Sequence, residues 1–285
     1  MKINKINPQS YCSGVMNAIN LVMDNYENYP KPIYMLGKLI HNDIVMNKFK
    51  ELGIIILDDK SKTRLELLDD ISSGTVIISA HGVSDKVIEK AKNKGLNIID
   101  STCPYVKKIS NNIKEYLNKG YDIIYIGTKG HPEVEGVLGI SNNINLITNI
   151  NDINNLNINN DKIYITNQTT LSIIEIENIY NLLKNKFSSS IIDNKICLAT
   201  TKRQEAIINQ EPVDLCIIVG DINSSNTKKL YELAKNNNIK ATMCDSLNTL
   251  DKSLLEGIKS VSISSGASTP IYLVDEIIEY INKKC

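Results

Sequence analysis

Cysteine recurs in this chain on a schedule. Cys12, Cys103 and Cys197 stand 91 and 94 residues apart, and each lies just before a stretch with apolar residues at helical spacing: Val15 to Tyr26, Tyr105 to Asn118 and Thr201 to Asn209. Near-equal spacing in the same local context predicts a threefold internal repeat, with one thiol per repeat at a junction that leads into a helix. Over 285 residues this predicts three domains, 1–101, 102–193 and 194–285, with length enough to bury cores. Between the cysteines, short apolar runs alternate with helical patterns. Pro32 to Leu36, Ile54 to Leu57, Thr75 to Ile78, Leu96 to Ile99, Tyr121 to Ile126, Lys162 to Thr166, Val213 to Val219, a run ending at Cys244, and Ser260 to Ser264 read as strands. That alternation predicts an α/β fold with mainly parallel sheets flanked by helices. Asn149 to Asp161, rich in Asn and Ile, reads as biased composition.

Charge narrows the function classes. Acidic and basic residues balance at 32 each, arginine occurs only as Arg64 and Arg203, and tryptophan is absent. Neither nucleic acid nor an anionic membrane surface is an expected partner. The first residues lack the apolar core of a signal peptide and no apolar run approaches membrane-spanning length, so the expected location is the cytoplasm. There, thiols stay reduced, and six cysteines read as metal or redox chemistry before disulfides. Cys216, Cys244 and Cys285 read as packing or surface residues. The other three are the candidate metal ligands.

Each third also places two polar loops where strands end, the position at which open parallel sheets bind ligands. The loops are Gly37 to Asn42, His81 to Ser84, Gly130 to Gly136, Gln168 to Thr170, Asn223 to Asn226 and Gly266 to Ser268. They hold all three histidines together with hydroxyls, amides and glycines. Such a lining suits the oxygens of a phosphate or diphosphate, with imidazoles able to become cationic. Three equivalent thiolates without a fourth leave one coordination position open. That is the mark of a catalytic zinc site, or of a four-iron cluster with one iron available to substrate, and spacing does not separate the two.

The ordered set Cys12-Ser-Gly-Val15, His41-Asn42, Ser79-Ala-His81-Gly-Val83, Thr102-Cys103-Pro104, Gly130-His131-Pro132-Glu133-Val-Glu135-Gly136, Gln168-Thr169-Thr170, Cys197 with Arg203-Gln204, Asn223-Ser224-Ser225-Asn226 and Gly266-Ala267-Ser268 resembles the 4-hydroxy-3-methylbut-2-enyl diphosphate reductase family. The resemblance implies a trefoil of three pseudo-repeated α/β domains around a central [4Fe–4S] cluster held by Cys12, Cys103 and Cys197. It implies reductive dehydroxylation of the allylic diphosphate to isopentenyl and dimethylallyl diphosphate, the last step of the non-mevalonate isoprenoid pathway. By the same resemblance, His41, His81, Ser224, Ser225, Asn226 and Ser268 would hold the diphosphate and His131 would line the pocket. Glu133 would deliver protons, and Thr169 would orient the substrate hydroxyl and pass a proton to it; Glu135 would stand behind them or be solvated. No nicotinamide fingerprint follows any strand, so a separate carrier such as ferredoxin or flavodoxin is the expected electron donor. Asp221 departs from the family pattern, where a small or basic residue is expected.

Overall fold

The computed structural model describes residues 1–59 and 61–284. Its strands are β1 (Lys2–Lys5), β2 (Ile33–Leu36), β3 (Ile55–Leu57), β4 (Thr75–Ile78), β5 (Asn97–Asp100), β6 (Asp122–Ile126), β7 (Ile144–Ile147), β8 (Ile163–Asn167), β9 (Ile191–Asp193), β10 (Leu215–Val219), β11 (Ala241–Cys244) and β12 (Ser260–Ser265). Its helices are α1 (Ser13–Met23), α2 (Asp43–Glu51), α3 (Arg64–Leu67), α4 (Asp85–Asn93), α5 (Pro104–Asn118), α6 (Pro132–Leu138), α7 (Ile173–Lys186), α8 (Leu198–Ile208), α9 (Ser225–Asn236) and α10 (Ile271–Lys284).

The strands form three four-stranded sheets, ordered β3-β2-β4-β5, β7-β6-β8-β9 and β1-β12-β10-β11. Every pairing among the described residues is parallel. The fold is α/β, as the alternating pattern predicts. In the first sheet the spatial order of strands is second, first, third, fourth in chain sequence, and the next sheet repeats it. The last sheet keeps the same plan but takes β1 as its fourth strand. Each spaced cysteine therefore follows a fourth strand: Cys12 after β1, Cys103 after β5 and Cys197 after β9. The repeat is real in topology, and one of its copies is closed by the N-terminal segment.

The chain divides into two compact units. One comprises Met1–Val15, His41–Val45 and Cys197 onward, and the other Met16–Ile40 and Met46–Ile196. In the first, alternate residues of β10 pack opposite ways, as strand geometry requires. Leu215, Ile217 and Val219 meet Leu273, Val274 and Ile277 of α10. Cys216 and Ile218 meet Ile207 of α8 and Leu230 and Leu233 of α9. In the second unit, Ile124, Ile126, Ile163 and Ile165 pack against Ile176, Tyr180 and Leu183 of α7. The opposite face sends Ile123 and Tyr125 toward Ile109 and Ile113 of α5 and Val134 and Val137 of α6.

Periodicity marks the inner strands and passes over three outer ones, β1, β7 and β9. Central strands are sandwiched between helix layers and read as unbroken apolar runs; β10 is buried at all five positions. The edge strand β1 is Lys-Ile-Asn-Lys with both ends exposed, and β9 is only three residues of intermediate burial. The Asn/Ile-rich segment is also ordered, with a 3-10 turn over Ile150–Asn155 that buries Ile153. Cys216 and Cys244 are core residues, 0% and 4% exposed, and Cys285 lies outside the described residues. No helix among the described residues is long and apolar enough to cross a membrane.

Candidate functional site

In the larger unit, the loops after β4 and β8 and the start of α6 after β6 bring together His81, His131, Glu133 and Thr169; the stretch Gly130 to Gly136, which reads as a loop in the sequence, becomes helical at Pro132. His131 is the N-cap of α6, its Nδ1 accepts the Glu133 N–H at 3.1 Å, and Pro132 at the first helical position favours that start. With Nδ1 accepting, a neutral His131 carries its proton on Nε2. Its ring meets that of His81 edge-on at 5.6 Å between centroids. Capping also fixes Glu133 in the first turn of α6, 2% exposed. The carboxylate accepts the Thr169 N–H at Oε1 (2.9 Å), the Tyr125 hydroxyl at Oε1 (3.2 Å) and the Thr169 hydroxyl at Oε2 (2.8 Å). Burial pushes the Glu133 carboxyl up to about 7 against the pull of those three donors. A carboxylic acid poised near neutrality and joined to a hydroxyl can give up a proton at physiological pH.

His81 and Glu133 line a cavity of about 210 Å³ together with Thr102. Cys103 follows as the N-cap of α5, and its N–H donates to the carbonyl of Ala80 at 3.0 Å, beside His81. Glu135, on the same short helix as Glu133, is ion-paired with Arg64 and accepts its backbone N–H at 2.7 Å. It braces α6 against α3.

In the smaller unit, Ser224 is the N-cap of α9, accepting the Thr227 N–H at 3.4 Å. Ser225 opens that helix, and Asn226 takes the Ala267 N–H at 3.0 Å while donating to Thr200 Oγ1 at 3.4 Å. Gly220 and Gly266 must lack side chains, since a Cβ on either would fall within 2.6 Å and 2.2 Å of Thr227 Oγ1. A helix N-terminus lined by hydroxyls and an amide is a ready anion cradle. Ser268 belongs to the same loop cluster, and its hydroxyl donates to the His41 carbonyl at 2.8 Å; to hold a phosphate it has to turn from that carbonyl. Asn42 Oδ1 caps α2 through the Val45 N–H at 3.0 Å. Asp221 proves to be a staple, accepting the Asn223 N–H at 2.7 Å and the Asp43 N–H at 3.2 Å.

Cys12 and Cys197 share this unit. Both are half-buried, the Val15 N–H points at Cys12 Sγ at 3.5 Å, and Cys197 is the N-cap of α8 with Sγ 3.1 Å from Thr200 Oγ1. Arg203 lies in the second turn of α8, 2% exposed, and donates to three carbonyls: Ser10 at 2.6 Å, Ala199 at 3.0 Å and Ser265 at 3.2 Å. Burial pulls the guanidinium below its ordinary range, and the opposing influences are Cys12 and Cys197. Neither Arg203 nor Tyr125 was assigned a role from sequence; rarity was the available signal for Arg203, one of two arginines among 32 basic residues.

Residues 3–282 match the model of the LytB protein family. The chain belongs to that family. It is 43% identical over 290 residues to 4-hydroxy-3-methylbut-2-enyl diphosphate reductase of Bacillus cytotoxicus, covering 99% of this chain and 91% of the relative. The reductase of the same name from Symbiobacterium thermophilum is 40% identical over 289 residues, with 99% and 97% covered. Among solved structures, the E-1-hydroxy-2-methyl-but-2-enyl-4-diphosphate reductase of Plasmodium falciparum is similar at TM-score 0.91 and 35% identity, covering 98% of this chain and 87% of that one. A second, (E)-4-hydroxy-3-methyl-but-2-enyl diphosphate reductase, described as the terminal enzyme of the non-mevalonate pathway, gives TM-score 0.70 and 30% identity over 99% and 100%.

Proposed function

We propose that this chain reduces (E)-4-hydroxy-3-methylbut-2-enyl diphosphate to isopentenyl and dimethylallyl diphosphate in the cytoplasm, as the last step of the non-mevalonate route. Two electrons and two protons enter and water leaves. The observation that supports this most is the buried Glu133, held near neutrality and hydrogen-bonded to Thr169, in a chain about 40% identical to reductases of that name. In the same reading the chain counts as three domains, 1–101, 102–193 and 194–285, with β1 lent to the last sheet.

The donor set fits a [4Fe–4S] cluster on Cys12, Cys103 and Cys197. Cys103 and Cys197 head helices, Cys12 immediately precedes one, and Arg203 puts a positive charge near two of the three; helix N-termini and a cation suit the negative charge of a sulfur-held cluster. The other two described cysteines are set against it, since burial raises Cys216 and pushes Cys244 up to about 12. When bound, the cluster supplies electrons one at a time and an iron without a protein ligand. The chain's own residues do the rest. His41, His81, Ser224, Ser225, Asn226 and Ser268 hold the diphosphate, and His131 lines the pocket. Thr169 orients the substrate hydroxyl, and Glu133 delivers a proton through it. Electrons come from a carrier such as ferredoxin or flavodoxin.

Anaerobic purification should give a brown protein with roughly four iron and four sulfide per chain that oxidises reduced viologen when given the allylic diphosphate. A colourless preparation that consumes no dye overturns the reading. Cys103→Ser should lose cluster content along with activity while keeping a native circular dichroism spectrum. Full iron occupancy in that variant removes Cys103 from the ligand set.

A further inference from the structure

Tyr125 is a buried ionisable side chain that the reaction above leaves unused. It is 0% exposed on β6, and the strand's alternation directs it to the face that packs on α6. Its hydroxyl reaches Glu133 Oε1 at 3.2 Å, the same oxygen that takes the Thr169 N–H at 2.9 Å. The other oxygen, Oε2, is met by the Thr169 hydroxyl at 2.8 Å. The two oxygens therefore differ. Oε1 faces an N–H and a phenol, whereas Oε2 faces a hydroxyl that can donate or accept.

Resting on the reading of Glu133 as proton donor, we propose that Tyr125 is a positioning residue which, with the Thr169 N–H, confines the proton of the neutral Glu133 carboxyl to Oε2. A proton on Oε1 would point at two other donors and forfeit hydrogen bonds there. On Oε2 it is donated to Thr169 Oγ1, which turns the threonine O–H toward the substrate. Delivery then moves the Thr169 proton to the departing oxygen and the Oε2 proton to Thr169. Glu133 is left as a carboxylate, held by the Tyr125 hydroxyl and the Thr169 N–H and hydroxyl until it is reprotonated. Burial and the Glu133 charge push the Tyr125 phenol well above its ordinary range, so it keeps its proton throughout.

The titratable groups around this arrangement have partners of their own. His131 presents Nδ1 to the Glu133 backbone, with His81 edge-on beyond it, and Tyr180 of α7 acts on Tyr125. The charged groups that line the shared cavity are paired with one another, Lys107 with Asp100 at 2.7 Å and Lys114 with Asp85 at 2.6 Å.

The test is Tyr125→Phe in the holoenzyme, which keeps the ring and removes one donor from the ionised carboxylate. The upper pH limb of kcat should move up by about 0.5–1 unit, with several-fold lower kcat on the plateau. Infrared titration without substrate, using the carboxyl band lost in Glu133→Gln as the assignment, should show the same upward shift and a frequency change from altered proton placement. An unmoved limb and an unmoved band overturn the proposal. A shifted band in a protein that never turns over the diphosphate overturns the functional reading and leaves the role of Tyr125 standing. If Tyr125→Phe does not fold, Tyr125→Leu serves, because the prediction concerns the hydroxyl and not the ring.

Discussion

Replacing Glu133 with Gln should lower turnover by roughly 10²–10⁴-fold and, at pH 8, make the protein more stable than its parent. Glutamine reproduces the protonated acid: its oxygen can accept from the Thr169 N–H and Tyr125, and its amide can donate to Thr169 Oγ1, so the fold loses no partner. What it lacks is a proton to give. The stability gain follows from linkage. The folded-state value of Glu133 is raised from 4.5 to about 7, so the native protein keeps a proton that the unfolded chain has released between those pH values. The stability associated with the neutral carboxyl is complete below pH 4.5 and is lost as pH rises through about 7. That loss amounts to about 3 kcal/mol. Denaturant titrations of parent and variant from pH 4 to pH 8 should therefore diverge with rising pH. Parallel curves would show that Glu133 is ionised in the native state, and undiminished kcat would remove it as the acid.

Arg203→Met should cost on the order of 3–5 kcal/mol in the smaller unit and most of the iron. Three carbonyls from separate segments converge on one guanidinium: Ser10 ahead of Cys12, Ala199 after Cys197 and Ser265 at the end of β12. Methionine fills similar volume and satisfies none of them. Arg203→Lys should rescue only part of the loss, because an ammonium has no planar fork with which to reach three acceptors at once. Urea melts with iron counts across the three proteins check this. Equal stability of Arg203→Met and the parent would mean that the carbonyls find other donors.

The inner strands and most helix starts could be read from sequence because their causes are local. Pro104 sits at a first helical position, Ser172 and Ser224 are N-caps, and Gly53 and Gly95 adopt positive φ (80° and 69°) where α2 and α4 end, whereas Pro132 opens α6 inside a stretch that reads as a loop. Cysteine spacing carried the repeat because each thiol is tied to the same place in the topology. The short or polar edge strands β1, β7 and β9 escaped notice, since an edge needs no continuous apolar run. Thr169 could be picked out as a loop residue and both it and Glu133 from family resemblance, although Glu133 stands in the first turn of α6 and not in a loop. Tyr125 looked like any strand aromatic, and only the pairing of β6 with β8 brings its hydroxyl and Thr169 to one carboxylate. Arg203 was legible as an oddity of composition, yet its three acceptors lie far apart in the chain.

The pairing of β1 with β12 imposes an order on biosynthesis. A ribosome makes residues 2–5 long before their hydrogen-bonding mates, Ser260 to Ile263. The opening segment must wait unpaired while the two sheets built within residues 33–193 already have every strand they need. Arg203 can tie the Ser10 carbonyl to that of Ser265 only after translation has passed Ser265, so this buried brace is among the late-forming parts of the fold.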